Sequence, residues 1–241
     1  MKELYSAASV PPRPTYLTWF GWFTLLFLIA AEVVGYMTSP ADAGMGHLQK
    51  IMYVHVPAAW AGMLAFFAAF ILSIMYFVRR SLRFDLLAAA AVEAGVLMTG
   101  LALVLGSIWG RATWGVWWTW EPRLTSTAIM FLMYVGYLTL RGFTDEDDRR
   151  ARWSAAVGVI AFLNVPIVFY SVRIWDRGLH QLPSTSESMS PGYWNNLWLN
   201  GVAFLLVLGF FMASRYHVAQ LEREVELRRE ENAMRGSARN G

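Results

Sequence analysis

The residues best suited to bind a ligand are concentrated in a tryptophan-rich segment, residues 109–126. Five of the 12 tryptophans of the chain lie there: Trp109, Trp114, Trp117, Trp118 and Trp120. Tryptophan collects at membrane–water interfaces, so one interpretation is an aromatic belt. A belt accounts for one or two tryptophans per helix end, but not for the four between residues 114 and 120. A second interpretation therefore stays open, a flat apolar shelf that holds a ligand.

Such a shelf suits a large, planar, apolar molecule that carries anionic groups. A porphyrin with two propionates has this description, and a quinone or a lipid headgroup fits it less well. Arginine forms charge-assisted, often bidentate hydrogen bonds with carboxylates. Four arginines are candidates for this role: Arg111, Arg123, Arg173 and Arg177. Contact with lipid headgroups is the simpler explanation for Arg173, which lies close to a predicted helix end.

Two of the four histidines point to the same ligand, because a neutral imidazole is an axial ligand of haem iron. His55 lies where a predicted loop enters the second apolar run, and His180 lies in a later loop on the same predicted face. A lone histidine is more often a satisfied polar residue than a ligand. A pair from two loops that flank the tryptophan segment predicts convergence on one site. We interpret His47 as solvated and His217 as an interfacial residue of the opposite face.

The elements that must position these residues are apolar runs of membrane-spanning length, which is about 20 residues. Six runs approach it: Trp19–Tyr36, Val56–Val78, Leu86–Trp109, Leu124–Leu140, Trp153–Val172 and Tyr193–Ala213. The composition agrees, with 56% hydrophobic and only 15% charged residues, whereas a soluble domain averages about 25% charged. The sequence therefore predicts an all-α membrane protein with six transmembrane helices.

The distribution of lysine and arginine predicts the orientation. Fifteen of these residues fall on the side that contains both termini, and five fall on the opposite side. Cytoplasmic loops carry the excess of positive charge, so both termini are predicted to be cytoplasmic. The tryptophan-rich loop between helices 3 and 4 then faces outward, to the periplasm. Residues 1–214 are predicted to form the six-helix domain, and residues 215–241 a charged cytoplasmic helix that ends in a frayed tail at 236–241.

Several kinds of chemistry are excluded or unsupported. The chain has no cysteine, which excludes disulfides, thiolate sites and covalent haem attachment on this chain. No phosphate-binding loop, zinc-protease motif or nucleophile elbow occurs, so any ATP-driven step requires another subunit. A net charge of +3 is too small for a nucleic-acid footprint. Within the spans the ionisable residues are Glu32 and Glu93, and we expect Glu93 to pair with the arginines at 79–83.

The segment Trp114–Ser126, WGVWWTWEPRLTS, resembles the "WWD" signature of haem-handling membrane proteins of cytochrome c biogenesis. The length of the whole chain and its six predicted spans are similar to those of the cytochrome c maturation protein C family (CcmC, haem exporter protein C). Further local matches are His55–Ala59, Gly106–Gly110, Asn164–Ile167, Tyr170–Val172 and Leu179–Gln181. The resemblance covers most of residues 15–215. One departure is that the acidic position, usually Asp, is Glu121 followed by Pro122.

The resemblance implies a multi-pass protein of the bacterial inner membrane that binds haem b non-covalently at the outer face. His55 and His180 then occupy the positions of the two axial histidines, and the tryptophan loop holds the porphyrin and docks a haem chaperone of the CcmE type. The implied partners are this chaperone, a small single-span CcmD-type protein and a CcmA/CcmB-type ABC transporter. No bond-making residue is expected. No span carries a polar file for an anionic porphyrin, which favours entry of haem from the lipid over passage through the chain.

Two other function classes are alternatives to a haem-handling protein. A haem-containing electron-transfer subunit, such as a quinol-linked cytochrome b, normally has histidine pairs within its spans, and here no histidine lies mid-span. A purely structural scaffold for the transporter complex would leave the tryptophan, histidine and arginine residues without a purpose.

Overall fold

The computed structural model describes residues 13–144, 146–175, 187 and 189–240. These residues form seven α-helices and one short 3-10 helix, His47–Ile51, which leads directly into α2. The α-helices are α1 Thr15–Thr38, α2 Met52–Arg79, α3 Leu82–Trp114, α4 Pro122–Gly142, α5 Asp147–Phe162, α6 Asn164–Ile174 and α7 Pro191–Asn240. Six helical stretches of the described chain are long and apolar enough to cross a membrane, and each contains one of the six predicted runs. The prediction of an all-helical protein with six such helices is confirmed.

The centre of the bundle is the close pair α2 and α3. Alanines of both helices are fully buried where they meet, among them Ala61 and Ala65 of α2 and Ala94 of α3. In lipid there is little hydrophobic force between helices, so small residues that allow close packing determine which faces meet. Gly95 shows how tight the contact is, because a Cβ there would lie 2.5 Å from the Phe66 ring.

The helix connections gather at two ends of the bundle. We call one the tryptophan end; it contains the connections α1–α2 and α3–α4, the last turn of α6 and the first turn of α7. Asn196 in the second turn of α7 links that helix to the end of α1, since its Nδ2 donates to Thr38 Oγ1 at 2.9 Å and to Ser39 Oγ at 2.8 Å. We call the other the charged end; it contains the connections α2–α3 and α4–α5 and the charged part of α7.

The fifth predicted run is interrupted near its middle. α5 ends at Phe162 and α6 begins at Asn164, although the two helices together still form one candidate span, Asp147–Ile174. Pro166 accounts for the interruption, because proline has no N–H to donate to the carbonyl of Phe162 and its ring clashes with that carbonyl. The Asn164 side chain uses the break to donate to the Ser126 carbonyl of α4 at 2.8 Å.

Two expectations at the charged end are wrong. Glu93 pairs with Arg215 of α7, whose Nη2 lies 2.9 Å from Glu93 Oε1, and not with the arginines at 79–83. Position 83 lies ten residues before Glu93 on α3, which is about 15 Å along the helix axis, whereas α7 passes directly beside Glu93. The backbone is also helical through Asn240, where a frayed tail from 236 was expected.

Candidate functional site

The tryptophan loop, residues 115–121, is a compact reversal between α3 and α4. Gly115 follows Trp114 with a φ of +77°, a left-handed conformation that favours glycine and ends α3. Arg111 donates a hydrogen bond to the Gly115 carbonyl. Pro122 begins α4 in the first helical position, where its missing N–H costs nothing. The loop is therefore held by backbone geometry at both of its ends.

The indole rings of the loop differ in their exposure. Trp117 is 60% exposed and Trp120 is 82% exposed, so both present broad apolar surface. In contrast, Trp118 is half-buried and meets Trp120 edge-to-face, with 5.7 Å between the ring centroids. Trp114 meets Trp109 in the same way at 5.2 Å. Edge-to-face pairs of this kind stabilise the arrangement of the rings.

Buried polar atoms without partners occur in the loop itself and in the first turn of α4. Four occur within residues 118–125: Trp118 Nε1, Thr119 Oγ1, Arg123 Nε and Thr125 Oγ1. Buried polar groups in folded proteins almost always have hydrogen-bond partners, so such a group needs an explanation. Arg123 also forms no salt bridge with the described residues, although Glu121 lies close enough for an electrostatic interaction with it. The arrangement leaves several donors ready for an anionic or polar group that is not part of this chain.

His55 lies deeper than the loop, on the first turns of α2 and against α3. Its Nδ1 is 2.9 Å from the carbonyl oxygen of Ala102, and its ring packs on Gly106. Trp114 follows Gly106 by eight residues on α3, so the start of the tryptophan loop lies about 12 Å further along that helix. The half-buried histidine and the loop therefore share one supporting helix.

The other predicted site residues divide into two groups. His180 and Arg177 lie outside the described residues. Arg173 is exposed in the last turn of α6, a position compatible with the predicted contact with lipid headgroups. His47 is exposed and stacks on Tyr36 with 6.3 Å between the rings.

Comparison with known proteins identifies the family. Residues 8–234 match the family described as CcmC, Heme exporter protein C. The chain belongs to the CcmC family.

Similar proteins in several bacteria carry the same description. Heme exporter protein C of Rhodobacter capsulatus is 33% identical over 208 residues, which cover 84% of this chain and 86% of the relative. The protein of that name from Paracoccus denitrificans is 36% identical and covers 76% of this chain and 75% of its own length. The Escherichia coli K12 protein is 33% identical and covers 86% of both chains. As a CcmC-family chain with six candidate spans, this protein is a multi-pass inner-membrane component of cytochrome c biogenesis.

The residues present fit a porphyrin better than a bare metal ion. Among the described residues, no group of three or more His, Asp or Glu side chains could hold a metal. Haem iron brings four nitrogen ligands of its own and needs only axial ligands from the protein. The exposed indole rings offer an apolar surface, the unpartnered donors offer polar contacts, and a histidine packed on the helix that leads into the loop offers an iron ligand.

Sequence reasoning missed several residues of this site. Ala102 contributes only its carbonyl, which no pattern of side chains reveals. Gly106 was noticed as part of a family motif, but its contact with His55 was not foreseen. Thr119 and Thr125 are not distinguished in the sequence, because threonine is common at helix ends. Their spacing of six residues across the loop gave no periodic signal.

Proposed function

We propose that this chain binds haem b non-covalently at the tryptophan end and delivers it to a periplasmic haem chaperone of the CcmE type. The observation that carries this proposal is the set of unpartnered buried donors within residues 118–125, the segment that also contains the exposed Trp120. A protein that used this end only as a membrane anchor would gain nothing from leaving such donors unsatisfied, because each costs about 1–3 kcal/mol when buried without a partner. A planar ligand with acidic groups accounts for both the apolar surface and the donors.

The proposed axial ligands are His55 and His180, one from each side of the tryptophan loop in the sequence. His55 is half-buried and held against α3, as a ligand of fixed direction must be. Two neutral imidazoles on one iron give a low-spin haem. Haem supplies the iron that they bind, and the protein supplies the position of the imidazoles and the exclusion of water around them.

The proposed porphyrin contacts are the indole rings of Trp114, Trp117, Trp118 and Trp120. The exposed pair of Trp117 and Trp120 is the surface that a chaperone would meet first. Transfer then consists of binding and release at this surface, without a bond-making residue on this chain.

The proposed propionate partners are Arg123, Arg111 and Arg177, in that order. Arg123 is preferred because it directly follows the tryptophan loop, is partly buried and keeps an unpartnered Nε. Arg111 is a weaker candidate, because one of its donors already binds the Gly115 carbonyl.

The proposed topology places the tryptophan end at the periplasm and both termini in the cytoplasm, as the distribution of Lys and Arg indicates. Residues 1–214 then form the haem-handling domain and residues 215–241 a cytoplasmic extension. In this arrangement a CcmD-type single-span protein and a CcmA/CcmB-type ABC transporter are the membrane partners. No span carries a polar file for an anionic porphyrin, which favours entry of haem from the lipid over passage through the chain.

Absorption spectra of the purified protein and its histidine variants test the function. We expect a low-spin haem spectrum for the wild type, and a changed spin state or reduced haem content for His55→Ala and for His180→Ala. His47→Ala and His217→Ala are the matched controls and should retain the wild-type spectrum. A His55→Ala variant with unchanged spectrum and haem content would exclude His55 as a ligand.

A further inference from the structure

The side of the His55 ring that faces α3 is held by a hydrogen bond. Nδ1 lies 2.9 Å from the carbonyl oxygen of Ala102, 47 residues further along the chain. A carbonyl oxygen can only accept, so the hydrogen must be on Nδ1. In a neutral imidazole only one nitrogen carries a hydrogen, and Nε2 then holds the in-plane lone pair.

The same side of the ring has space only because residue 106 is glycine. A Cβ at Gly106 would lie 2.9 Å from His55 Cε1, 3.6 Å from Nδ1 and 3.8 Å from Nε2. Real Cβ atoms essentially never approach another atom as closely as the first of these distances. All three nearest atoms belong to the one imidazole ring. Gly106 lies one helical turn beyond Ala102, so the two residues together form the surface of α3 on which the ring rests.

We infer that α3 sets the tautomer and the position of the neutral His55 ring: the Ala102 carbonyl holds the hydrogen on Nδ1, Gly106 leaves the space for the ring, and Nε2 is thereby the nitrogen whose lone pair would bind iron. The tautomer follows from this contact alone, whereas the ligation by Nε2 rests on the proposed function. Gly106 is thus a positioning residue, which acts through His55 and need not touch the haem. Outer contacts of this kind orient the ligands of a metal and tune its affinity.

The first test measures the tautomer in the complete chain without haem. Nitrogen-15 NMR of histidine-labelled protein distinguishes a protonated from an unprotonated ring nitrogen, and a His55→Gln variant assigns the signals of His55. We expect the hydrogen on Nδ1 in the wild type and a mixture of tautomers in Gly106→Ala. A wild-type signal with the hydrogen on Nε2 would overturn the inference, even if Gly106→Ala failed to fold.

The second test measures the consequence for bound haem. In Gly106→Ala we expect haem affinity to fall about tenfold, as is typical for loss of an outer contact of a metal ligand, together with altered g-values in the low-spin electron paramagnetic resonance spectrum. Gly95→Ala is the matched control, since it lies on the same helix and its Cβ would crowd the Phe66 ring instead. Folded Gly95→Ala should keep the wild-type g-values. Equal changes in both variants would mean that Gly106 affects only helix packing and would overturn its positioning role.

The two tests separate this inference from the proposed function. If His55→Ala retained the wild-type haem spectrum while NMR showed the hydrogen on Nδ1, the proposed iron ligand would be wrong and the tautomer assignment would stand. If His55→Ala lost haem while NMR showed the hydrogen on Nε2, the ligand would stand and the role of α3 would fall.

Discussion

The charged end and the tryptophan end differ in whether their partly buried arginines have carboxylate partners. At the charged end, Arg141 of α4 binds Asp85 of α3 through two hydrogen bonds of 2.5 Å and 2.9 Å, and Arg215 of α7 binds Glu93 through two more. At the tryptophan end, Trp118 Nε1 and Arg123 Nε are buried without partners. The chain thus pairs Arg141 and Arg215 with its own carboxylates at one end, whereas Arg123 at the other end forms no salt bridge with the described residues. This difference separates an end that holds the helices together from an end suited to receive a ligand.

Further pairs at the charged end join helices that are distant in sequence. The Tyr76 hydroxyl of α2 donates to Asp148 Oδ1 of α5 at 3.0 Å, and Arg223 Nη2 of α7 lies 3.4 Å from Asp147 Oδ2. Such contacts restrict how the helices can shift against one another.

The largest expected effect is on stability, from Asp85→Ala. The carboxylate is 2% exposed and its arginine 13%, so the variant leaves Arg141 buried without its partner. We expect a loss of about 3–5 kcal/mol, seen as a lower unfolding temperature in detergent. The control is Arg149→Ala, whose pair with Glu146 is more than half exposed and is worth at most about 1 kcal/mol. Equal losses in the two variants would contradict the comparison, as would an altered haem spectrum in folded Asp85→Ala.

The next effect is on haem retention, from Arg123→Ala. An arginine–carboxylate contact at this site is worth about 1–3 kcal/mol, so haem should dissociate more readily. Arg123→Lys should restore retention only in part, since lysine lacks the planar fork. Haem dimethyl ester should bind the wild type and Arg123→Ala equally well. If the ester bound the wild type as tightly as haem does, Arg123 would serve chaperone docking instead.

A smaller effect is expected from the exposed tryptophans. Trp117→Ala and Trp120→Ala should each remove an aromatic contact worth about 1 kcal/mol and so reduce haem transfer to the chaperone in part. The double variant should reduce it more strongly. Trp22→Ala is the control, because Trp22 is 57% exposed on α1, remote from the loop. Transfer is measured with purified chaperone, and membrane insertion by the amount of protein in the membrane fraction. Loss of the single variants from the membrane would favour the aromatic-belt interpretation.

The smallest effect concerns a polar group at the tryptophan end that is satisfied. Backbone N–H groups of Met45 and Gly44 donate to Asp42 Oδ1, each at 2.8 Å, and lower the pKa of this carboxyl. Because the folded pKa is lowered, the turn is fully stabilised above the ordinary value of about 3.9. The stabilisation is lost as the pH falls through the lowered pKa. The protection factor of the Met45 amide, which corrects for the pH dependence of intrinsic exchange, should therefore fall in acid, and Asp42→Asn should remove this dependence on protonation. Unchanged protection below the ordinary pKa would contradict it.

Features that depend on a single segment could be predicted well. The six runs are confirmed because hydropathy is a property of consecutive residues, and the tryptophan loop was expected between helices 3 and 4, where Gly115 and Pro122 end one helix and begin the next. The partner of Glu93 was predicted wrongly. Nearness in sequence favoured arginines at 79–83, but the distance along α3 rules them out, and Arg215 comes from a helix more than 100 residues later.

The sequence by itself determined the membrane as solvent, the helical class, the family and the residue types of the candidate site. These depend on composition, on runs of apolar residues and on a signature whose members are adjacent in the chain. Only the tertiary structure decided that the Ala102 carbonyl and Gly106 face His55, and that donors within residues 118–125 lack partners. The physical reason for the His55 contacts is that small residues let α2 and α3 approach each other closely. How closely the two helices pack, and which faces they turn to each other, cannot be predicted from the sequence of either helix alone.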